Sequence, residues 1–167
     1  MRGPNWHADP RVNTRGDIIG TKAEFSQAWE LRHGAVRFLR HLPGSGGPGS
    51  IAARRINSRG QIARGAGDSS DALRWASAAA APAILRPRPG DAFSFARGIN
   101  DAGAVAGETD QRDSMAHAAI WDRLGRIRVL SGAYGPGTPA GLFEINNAGD
   151  SGRRVLPHRC LWQHGVR

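Results

Sequence analysis

The clearest alternation of apolar with small or polar residues runs from Phe93 to Ile99. A period of two residues is typical of a strand with one buried face. The residues from Asn100 to Gly103 then predict a turn, and those from Ala104 to Gly107 predict the returning strand. After a polar loop, Glu108 to Ser114, further strands are predicted from His117 to Trp121 and from Arg126 to Leu130. This stretch therefore predicts one unit of four antiparallel strands.

The predicted turn recurs along the chain at a nearly constant spacing. Its asparagines stand at positions 13, 57, 100 and 146, which are 44, 43 and 46 residues apart. A tryptophan follows each asparagine by 16, 18, 21 and 16 residues, at positions 29, 75, 121 and 162. A period near 44 residues is typical of the four-stranded blades of β-propellers.

The repeat predicts an all-β fold, a β-propeller-like array of about four antiparallel four-stranded blades. The units span approximately residues 12–49, 50–90, 91–139 and 140–167, and residues 1–11 form an N-terminal tail outside the pattern. Four blades are enough to close a small ring. Because the fourth unit is short, an open or truncated ring is the alternative.

The repeated residues have a structural explanation. Asparagine is favoured at the first position of a type I turn, and glycine is favoured at the following left-handed position. Large aromatic side chains at a fixed register fill the space between adjacent sheets. We therefore assign structural roles to Asn13, Asn57, Asn100, Asn146, Gly16, Gly60, Gly103, Gly149, Trp29, Trp75, Trp121 and Trp162.

An Ile-Asn-x-x-Gly turn followed by a His-Ala-x-x-Trp strand resembles the HAF repeat family of bacterial proteins. The nearest copy of the second motif is the segment from His117 to Trp121, and degenerate copies end at Trp75 and Trp162. In the first unit, either Trp29 or Leu31 can be aligned with the Trp position. The resemblance implies a propeller-like fold, frequent export, and no settled enzymatic activity.

The chain is strongly basic, with a net charge of +9 and 22 arginines beside the single Lys22. Such a charge is typical of proteins that bind nucleic acid or another polyanion. An excess of arginine over lysine, with abundant alanine and glycine, is also what a GC-rich coding bias produces. Both explanations remain open at this point.

Two sets of charged residues are candidates for binding. Arg15, Arg32, Arg59 and Arg123 lie in or beside turns on one predicted face. Glu108, Asp110 and Asp113 lie in the polar loop on the opposite face. The arginines suit an acidic or phosphate-bearing partner, whereas paired carboxylates are what a glycosidase requires.

No metal site, catalytic residue or cofactor is predicted. The six histidines show no spacing typical of metal ligands, and His117 is expected to hydrogen-bond to a neighbouring turn. The single Cys160 cannot form an internal disulfide. With neither a signal peptide nor a membrane span in the sequence, we expect a cytoplasmic protein that does not enter membranes.

Three functional hypotheses follow. The favoured one is a non-enzymatic repeat scaffold that binds a macromolecular partner through its variable loops. The second is a module that binds nucleic acid or another polyanion through its arginines, and the third is a hydrolase acting on carbohydrate through its loop carboxylates. If the ring is open, a homodimer is a further expectation. A decayed copy without a selected activity is the remaining alternative.

Overall fold

The computed structural model describes residues 11–22, 27–42, 53–64, 71–110, 116–130, 140–149 and 151–155. The predicted tail, except for Arg11, and the predicted sites Asp113 and Trp162 lie outside these residues. The described residues contain no helix, and their strands form four antiparallel sheets that follow one another along the chain. The prediction of an all-β fold built from four-stranded antiparallel units is thereby confirmed.

Three sheets have four strands in chain order, and the fourth sheet shows two. Sheet 1 contains β1 (Arg11–Val12), β2 (Ile18–Thr21), β3 (Ala28–Arg32) and β4 (Ala35–Phe38). Sheet 2 contains β5 (Ala53–Ile56), β6 (Ile62–Arg64), β7 (Ala72–Trp75) and β8 (Ala83–Leu85). Sheet 3 contains β9 (Phe93–Ile99), β10 (Val105–Asp110), β11 (Ala116–Trp121) and β12 (Ile127–Val129). Sheet 4 contains β13 (Ala140–Ile145) and β14 (Ser151–Val155).

Successive sheets pack face to face, and their first strands β1, β5, β9 and β13 lie side by side on what we call the inner side. One core joins Ile19, Ala28 and Leu39 of sheet 1 to sheet 2. A second core joins sheets 2 and 3, and a third joins sheet 3 to Leu142 of sheet 4. The array is propeller-like and open.

Tryptophan fills the interface in two units, as predicted. Trp75 and Trp121 are completely buried. Their indole N–H groups donate to the carbonyl oxygens of Arg40 and Arg86, both at 2.8 Å, in the linkers that follow the fourth strand of the preceding sheet. Each tryptophan therefore satisfies its one polar atom while it ties its own sheet to the sheet before it.

Of the two alignments open in the first unit, Leu31 and not Trp29 occupies the repeat position of tryptophan. Ile62 pairs with Trp75 and Val105 pairs with Trp121, but the equivalent Ile18 pairs with Leu31. Trp29 stands two residues earlier on the same face and pairs with Gly20. A Cβ at position 20 would lie 2.3 Å from the indole, so glycine is required for the ring to lie flat over the strand.

The turn asparagines have the predicted role. In each turn the glycine N–H donates to the asparagine carbonyl at 3.0–3.1 Å, and the glycines at 16, 60, 103 and 149 all have positive φ. The side-chain oxygen of Asn57, for example, accepts from the backbone N–H groups of Arg59 and Gln61 at 3.0 and 2.9 Å. These bonds stabilise the hairpin that begins each unit.

The same asparagines also connect adjacent sheets, which turn chemistry alone does not predict. The side-chain amide of Asn13 donates to the carbonyl oxygen of Asn57 at 2.9 Å. Asn57 donates in the same way to Asn100 at 2.7 Å, and Asn100 donates to Asn146 at 3.1 Å. This asparagine ladder holds the four turns in a fixed register.

Candidate functional site

The predicted turn arginines lie on the side of the array that carries the asparagine ladder. We call Arg15, Arg32, Arg59 and Arg123 the turn surface. Arg15 and Arg32 are brought together, because the Nε atom of each lies 3.7 Å from an oxygen of the Asp17 carboxylate, which is almost completely buried. Both guanidinium groups also lie within about 3.5 Å of the Cβ position at Gly60, in the neighbouring turn.

A second carboxylate lies beneath these arginines. Glu30 is only 3% exposed, and its Oε1 atom has no hydrogen-bond partner. Burial raises the pKa of Glu30, although the nearby Arg32 lowers it in part. Asp17 and Glu30 together therefore offset the charges of Arg15 and Arg32.

The remaining arginines of the turn surface are distributed around sheets 2 and 3. Arg59 is exposed and lies within electrostatic range of Asp101. Arg123 is exposed too, and its carbonyl oxygen accepts a hydrogen bond of 2.8 Å from the guanidinium of Arg74. Arg74 also donates to the carbonyl of Gly103 at 2.8 Å, so it joins sheet 2 to the turns of sheet 3. On the turn surface, Asp17 thus compensates the charges of Arg15 and Arg32, and the backbone of Arg123 takes part in the contact between sheets 2 and 3.

A different set of arginines collects on the inner side of the array. β5 and β9 each contain a β-bulge three residues before the turn asparagine, and the extra residues are Arg54 and Arg97. β13 has its bulge at the same offset. A bulged residue is left out of the regular ladder and its side chain is re-aimed, which is why bulges are frequent beside functional sites. The sequence analysis did not assign either arginine a role.

We call Arg11, Arg54, Arg55 and Arg97 the inner arginine group; they come from the first strands of sheets 1, 2 and 3. Partial burial, followed by the like charges of Arg97, Arg55 and Arg11, lowers the pKa of the Arg54 guanidinium. Arginine nevertheless stays protonated at any physiological pH. Arg54 therefore lies within electrostatic range of three other arginines, which come from the first strands of sheets 1, 2 and 3.

Two carboxylates contact the inner arginine group. The guanidinium of Arg97 is bonded to Oε1 of Glu108 at 2.5 Å. Arg55 of sheet 2 lies 3.7 Å from Glu144 of sheet 4, whose side chain is 76% exposed. An ion pair at that distance and exposure contributes little and is screened by salt. Within the described ranges, Arg97 thus holds one buried carboxylate firmly, and Arg55 holds one exposed carboxylate loosely.

Glu108 does not lie in a loop, contrary to the prediction, because β10 continues through Asp110. The side chain of Glu108 is 8% exposed, since it is enclosed by Arg97 and by Gly141 of β13, where a Cβ would clash with Oε2. Asp110 ends the same strand, and its carbonyl accepts a hydrogen bond of 2.8 Å from Ala92. The polar run from Glu108 onward predicts a loop, because the burial of a strand against another sheet leaves no signal in the local sequence.

His117 belongs to a separate polar cluster on sheet 3. Its Nδ1 atom lies 3.3 Å from Oδ2 of Asp91, a carboxylate with no exposed surface. Asp91 also accepts hydrogen bonds from the hydroxyl of Thr109 and from Arg88, the latter at 3.0 Å. Burial by itself raises the pKa of Asp91, but these two hydrogen bonds and the nearby charges outweigh it and lower the pKa. Nε2 of His117 also lies at a hydrogen-bonding distance of 3.3 Å from Nη2 of Arg88, beside the turn before β9, in agreement with the prediction that His117 hydrogen-bonds to a neighbouring turn.

Within the described ranges, no group of three or more histidine, cysteine, aspartate or glutamate side chains could hold a metal ion. In the same ranges no helix is long and apolar enough to cross a membrane.

The chain matches no family model and no curated protein. It is similar to solved structures of a streptogramin B lyase and of virginiamycin B lyase. The structure of a streptogramin B lyase has a TM-score of 0.54 and 13% identity, over 94% of this chain and 57% of that chain. A catalytically inactive virginiamycin B lyase from Staphylococcus aureus, solved with quinupristin, has a TM-score of 0.53 and 14% identity, over 95% of this chain and 59% of that chain.

The likeness shows the fold. At such low identity the lyase activity does not carry over to this chain. The chain also spans little more than half the length of these lyases. Function has to be argued from the residues of the inner side and of the turn surface.

Proposed function

We propose that this chain is a non-catalytic, propeller-like scaffold that binds a polyanionic macromolecule through its inner arginine group. The observation that carries the proposal is that Arg54 lies within electrostatic range of Arg11, Arg55 and Arg97 on three adjacent sheets, where Arg97 is paired with Glu108 and Arg55 with Glu144. Like charges held together by a rigid framework attract a ligand that carries the opposite charge.

The chemistry of arginine supports a phosphate-bearing ligand. The guanidinium group is planar and presents several N–H donors in a fixed fork, which matches two oxygens of a phosphate. Arg54 is the exposed member and stands at a bulge, and in the described ranges Glu108 acts on it only through the longer-range attraction of its charge. A bound phosphate would therefore interact more favourably with Arg54 than with Arg97, whose guanidinium already holds Glu108.

The turn surface supports the proposal less well. Asp17 lies between Arg15 and Arg32, and Glu30 is buried beneath them. A phosphate approaching these arginines would compete with carboxylates that are already in place. The contribution of the variable loops stays a prediction, because residues 65–70, 111–115 and 131–139 lie outside the described ranges.

The alternative of a carbohydrate hydrolase has less support. A glycosidase needs two carboxyl groups that face each other across a cleft. Glu108 instead contacts Arg97 and the backbone of β13. Membership of the HAF repeat family likewise stays a prediction, which a comparison of many related sequences would test.

The test is the binding of a fluorescently labelled single-stranded oligonucleotide, measured by anisotropy. Arg54→Gln should weaken binding by about tenfold or more, the usual contribution of a hydrogen bond to a charged group. Arg128→Gln is the matched control, because Arg128 is an exposed arginine on the last strand of sheet 3 and its loss changes the net charge equally. Circular dichroism of both variants checks that the fold is retained.

Equal losses in the two variants would mean that the oligonucleotide responds only to net charge, and they would overturn the proposal. Absence of binding by the unmodified chain at low salt would do the same. A loss confined to Arg54→Gln would support it.

A further inference from the structure

One strand of sheet 3 contacts the linker between sheets 2 and 3, residues 86–92, at two points. His117 and Trp121 stand four residues apart on β11 and therefore share the face that packs toward sheet 2. The indole of Trp121 donates to the carbonyl oxygen of Arg86 at 2.8 Å, and Nε2 of His117 lies 3.3 Å from Nη2 of Arg88. One strand face thus holds two alternate residues of the linker.

The corresponding attachment in sheet 2 is built differently. Trp75 donates to the carbonyl oxygen of Arg40, and the same offsets lead to Asp71 just before β7 and to Leu42 in the linker. Leu42 packs against the core between sheets 1 and 2. The repeat therefore does not require a histidine and an arginine at these positions to attach a linker, and the polar pair in sheet 3 needs another explanation.

The chemistry of the two side chains fixes where the proton of the neutral imidazole lies. A guanidinium group only donates hydrogen bonds. Nε2 of His117 is therefore the acceptor for Arg88, and the neutral ring carries its proton on Nδ1. Nδ1 lies 3.3 Å from Oδ2 of Asp91, whose carboxylate also accepts hydrogen bonds from Thr109 and Arg88. Burial raises the pKa of Asp91, but these hydrogen bonds and the nearby charges outweigh it, so the carboxylate stays ionised.

A second proton on the ring is incompatible with this arrangement. It enters at Nε2, where an N–H group would then face the N–H groups of Arg88 and two positive charges would stand 3.3 Å apart. The side chain of His117 is 23% exposed, so a proton from solvent can reach the ring. Asp91 can bind the imidazolium in place of the guanidinium, because its carboxylate already contacts both groups.

We propose that His117 is a pH-sensitive latch: uptake of a solvent proton at Nε2 displaces Arg88 and weakens the attachment of the linker 86–92 to sheet 3. Asp91 remains with the imidazolium, and no other group gains or loses a proton in this step. Trp121 keeps its bond to the linker, so the sheets stay together while the turn before β9 loosens.

Two described elements place titratable or hydrogen-bonding groups around the ring of the latch. They are Arg88 and Asp91 of the linker, and Thr109 and Asp110 of β10, of which Thr109 pairs directly with His117. The segment 111–115, with Arg112 and Asp113, also adjoins β11 in the sequence but lies outside the described residues. A variant in this segment is therefore needed as a control.

The test is hydrogen exchange of backbone amides, followed by NMR from about pH 8 to about pH 5 and corrected for intrinsic exchange rates. The N–H of Asp91 donates to the carbonyl of Arg88 at 2.9 Å, and that of Ala92 donates to Asp110 at 2.8 Å, so both amides report on the linker. Their protection should fall by about tenfold in acid, the usual contribution of a hydrogen bond to a charged group. The amide of Leu39, in the linker between sheets 1 and 2, should keep its protection.

Variants separate the latch from other sources of pH dependence. His117→Gln keeps an acceptor for Arg88 but cannot take up a proton, so the protection should not change with pH. Arg88→Gln should remove the response as well, because no guanidinium is left to displace. His41→Gln is the matched control, since His41 lies in the linker between sheets 1 and 2, and it should respond as the unmodified chain does. Asp113→Asn should also respond as the unmodified chain does.

Constant protection of Asp91 and Ala92 in the unmodified chain would overturn the proposal, and this measurement needs no variant. A response that persists in His117→Gln would overturn it too. Loss of the response in His41→Gln or Asp113→Asn would contradict the latch, because the titrating group would then lie elsewhere. Circular dichroism at both ends of the pH range checks that each variant is folded.

Discussion

The turn surface and the inner arginine group are both rich in arginine, but they differ in what surrounds the guanidinium groups. On the turn surface, Arg15 and Arg32 share the buried carboxylate of Asp17. In the inner group, Arg54 experiences the like charges of Arg97, Arg55 and Arg11. The density of arginine in a sequence therefore does not identify a binding surface; the arrangement of the opposing carboxylates does.

The backbone explains why the two regions differ. The turns are held by asparagine side chains that accept hydrogen bonds from local backbone N–H groups, such as those of Arg59 and Gln61. The bulges at Arg54 and Arg97 instead remove one residue from the ladder of each first strand. Side chains at such positions are directed by the bulge and not by the alternation of the strand.

The largest effect is expected for Asn57, on which the turns of the first three units depend. Asn57→Ala removes its bonds to Arg59, Gln61 and the carbonyl of Asn100, so the free energy of unfolding should fall by about 2–4 kcal/mol. Urea denaturation measures it. Ser58→Ala is the comparison in the next position of the same turn: it removes one side-chain hydrogen bond to Asp101 and should therefore cost less. An equal loss there would show that the asparagine ladder has no special role.

An intermediate effect is expected for Asp17→Asn, which removes the charge shared by Arg15 and Arg32. The variant should lose about 1–2 kcal/mol of stability, because Asp17 is buried and accepts a hydrogen bond of 2.9 Å from Asn13. It should also gain oligonucleotide affinity on the turn surface, by about two- to fivefold. Unchanged affinity would mean that the carboxylate of Asp17 does not limit the binding of the oligonucleotide to the turn surface.

The smallest effect is expected for Glu30→Gln. Because the folded pKa of Glu30 is raised, its ionised form costs stability at neutral pH, and that cost disappears as the pH falls through the folded pKa. The variant should therefore be more stable than the unmodified chain at pH 7, by less than about 1 kcal/mol, with no difference in acid. Thermal unfolding at several pH values measures this. A variant that is less stable at pH 7 would show that Arg32 binds the carboxylate more strongly than burial disfavours it.

Much of the fold could be predicted from the sequence because its signals are local. Asparagine and glycine specify the turns, the period of about 44 residues specifies the unit, and alternation specifies β9. The alignment of Trp29 failed because residues 29 and 31 share a face, so only the pairing with β2 distinguishes them. The sequence did not predict that the strand continues through Glu108, because the burial of Glu108 depends on contacts with sheet 4.

The candidate site was missed for a related reason. Arg54 and Arg97 stand at the same offset of three residues before the turn asparagine, and that offset was visible in the sequence. A regular strand, however, would place these side chains on a sheet face, and nothing local reveals a bulge. Only the paired strand shows that one residue is extra.

The central claim is that the inner arginine group, and not the turn surface, binds a polyanion. The most direct measurement is the slope of the logarithm of oligonucleotide affinity against the logarithm of salt concentration, compared between Arg54→Gln and Arg59→Gln. Both residues are exposed arginines of unit 2, and each substitution removes one charge. We expect the slope to fall by about 1 for Arg54→Gln and to be unchanged for Arg59→Gln. A fall for Arg59→Gln alone, or an equal fall for both, would contradict it.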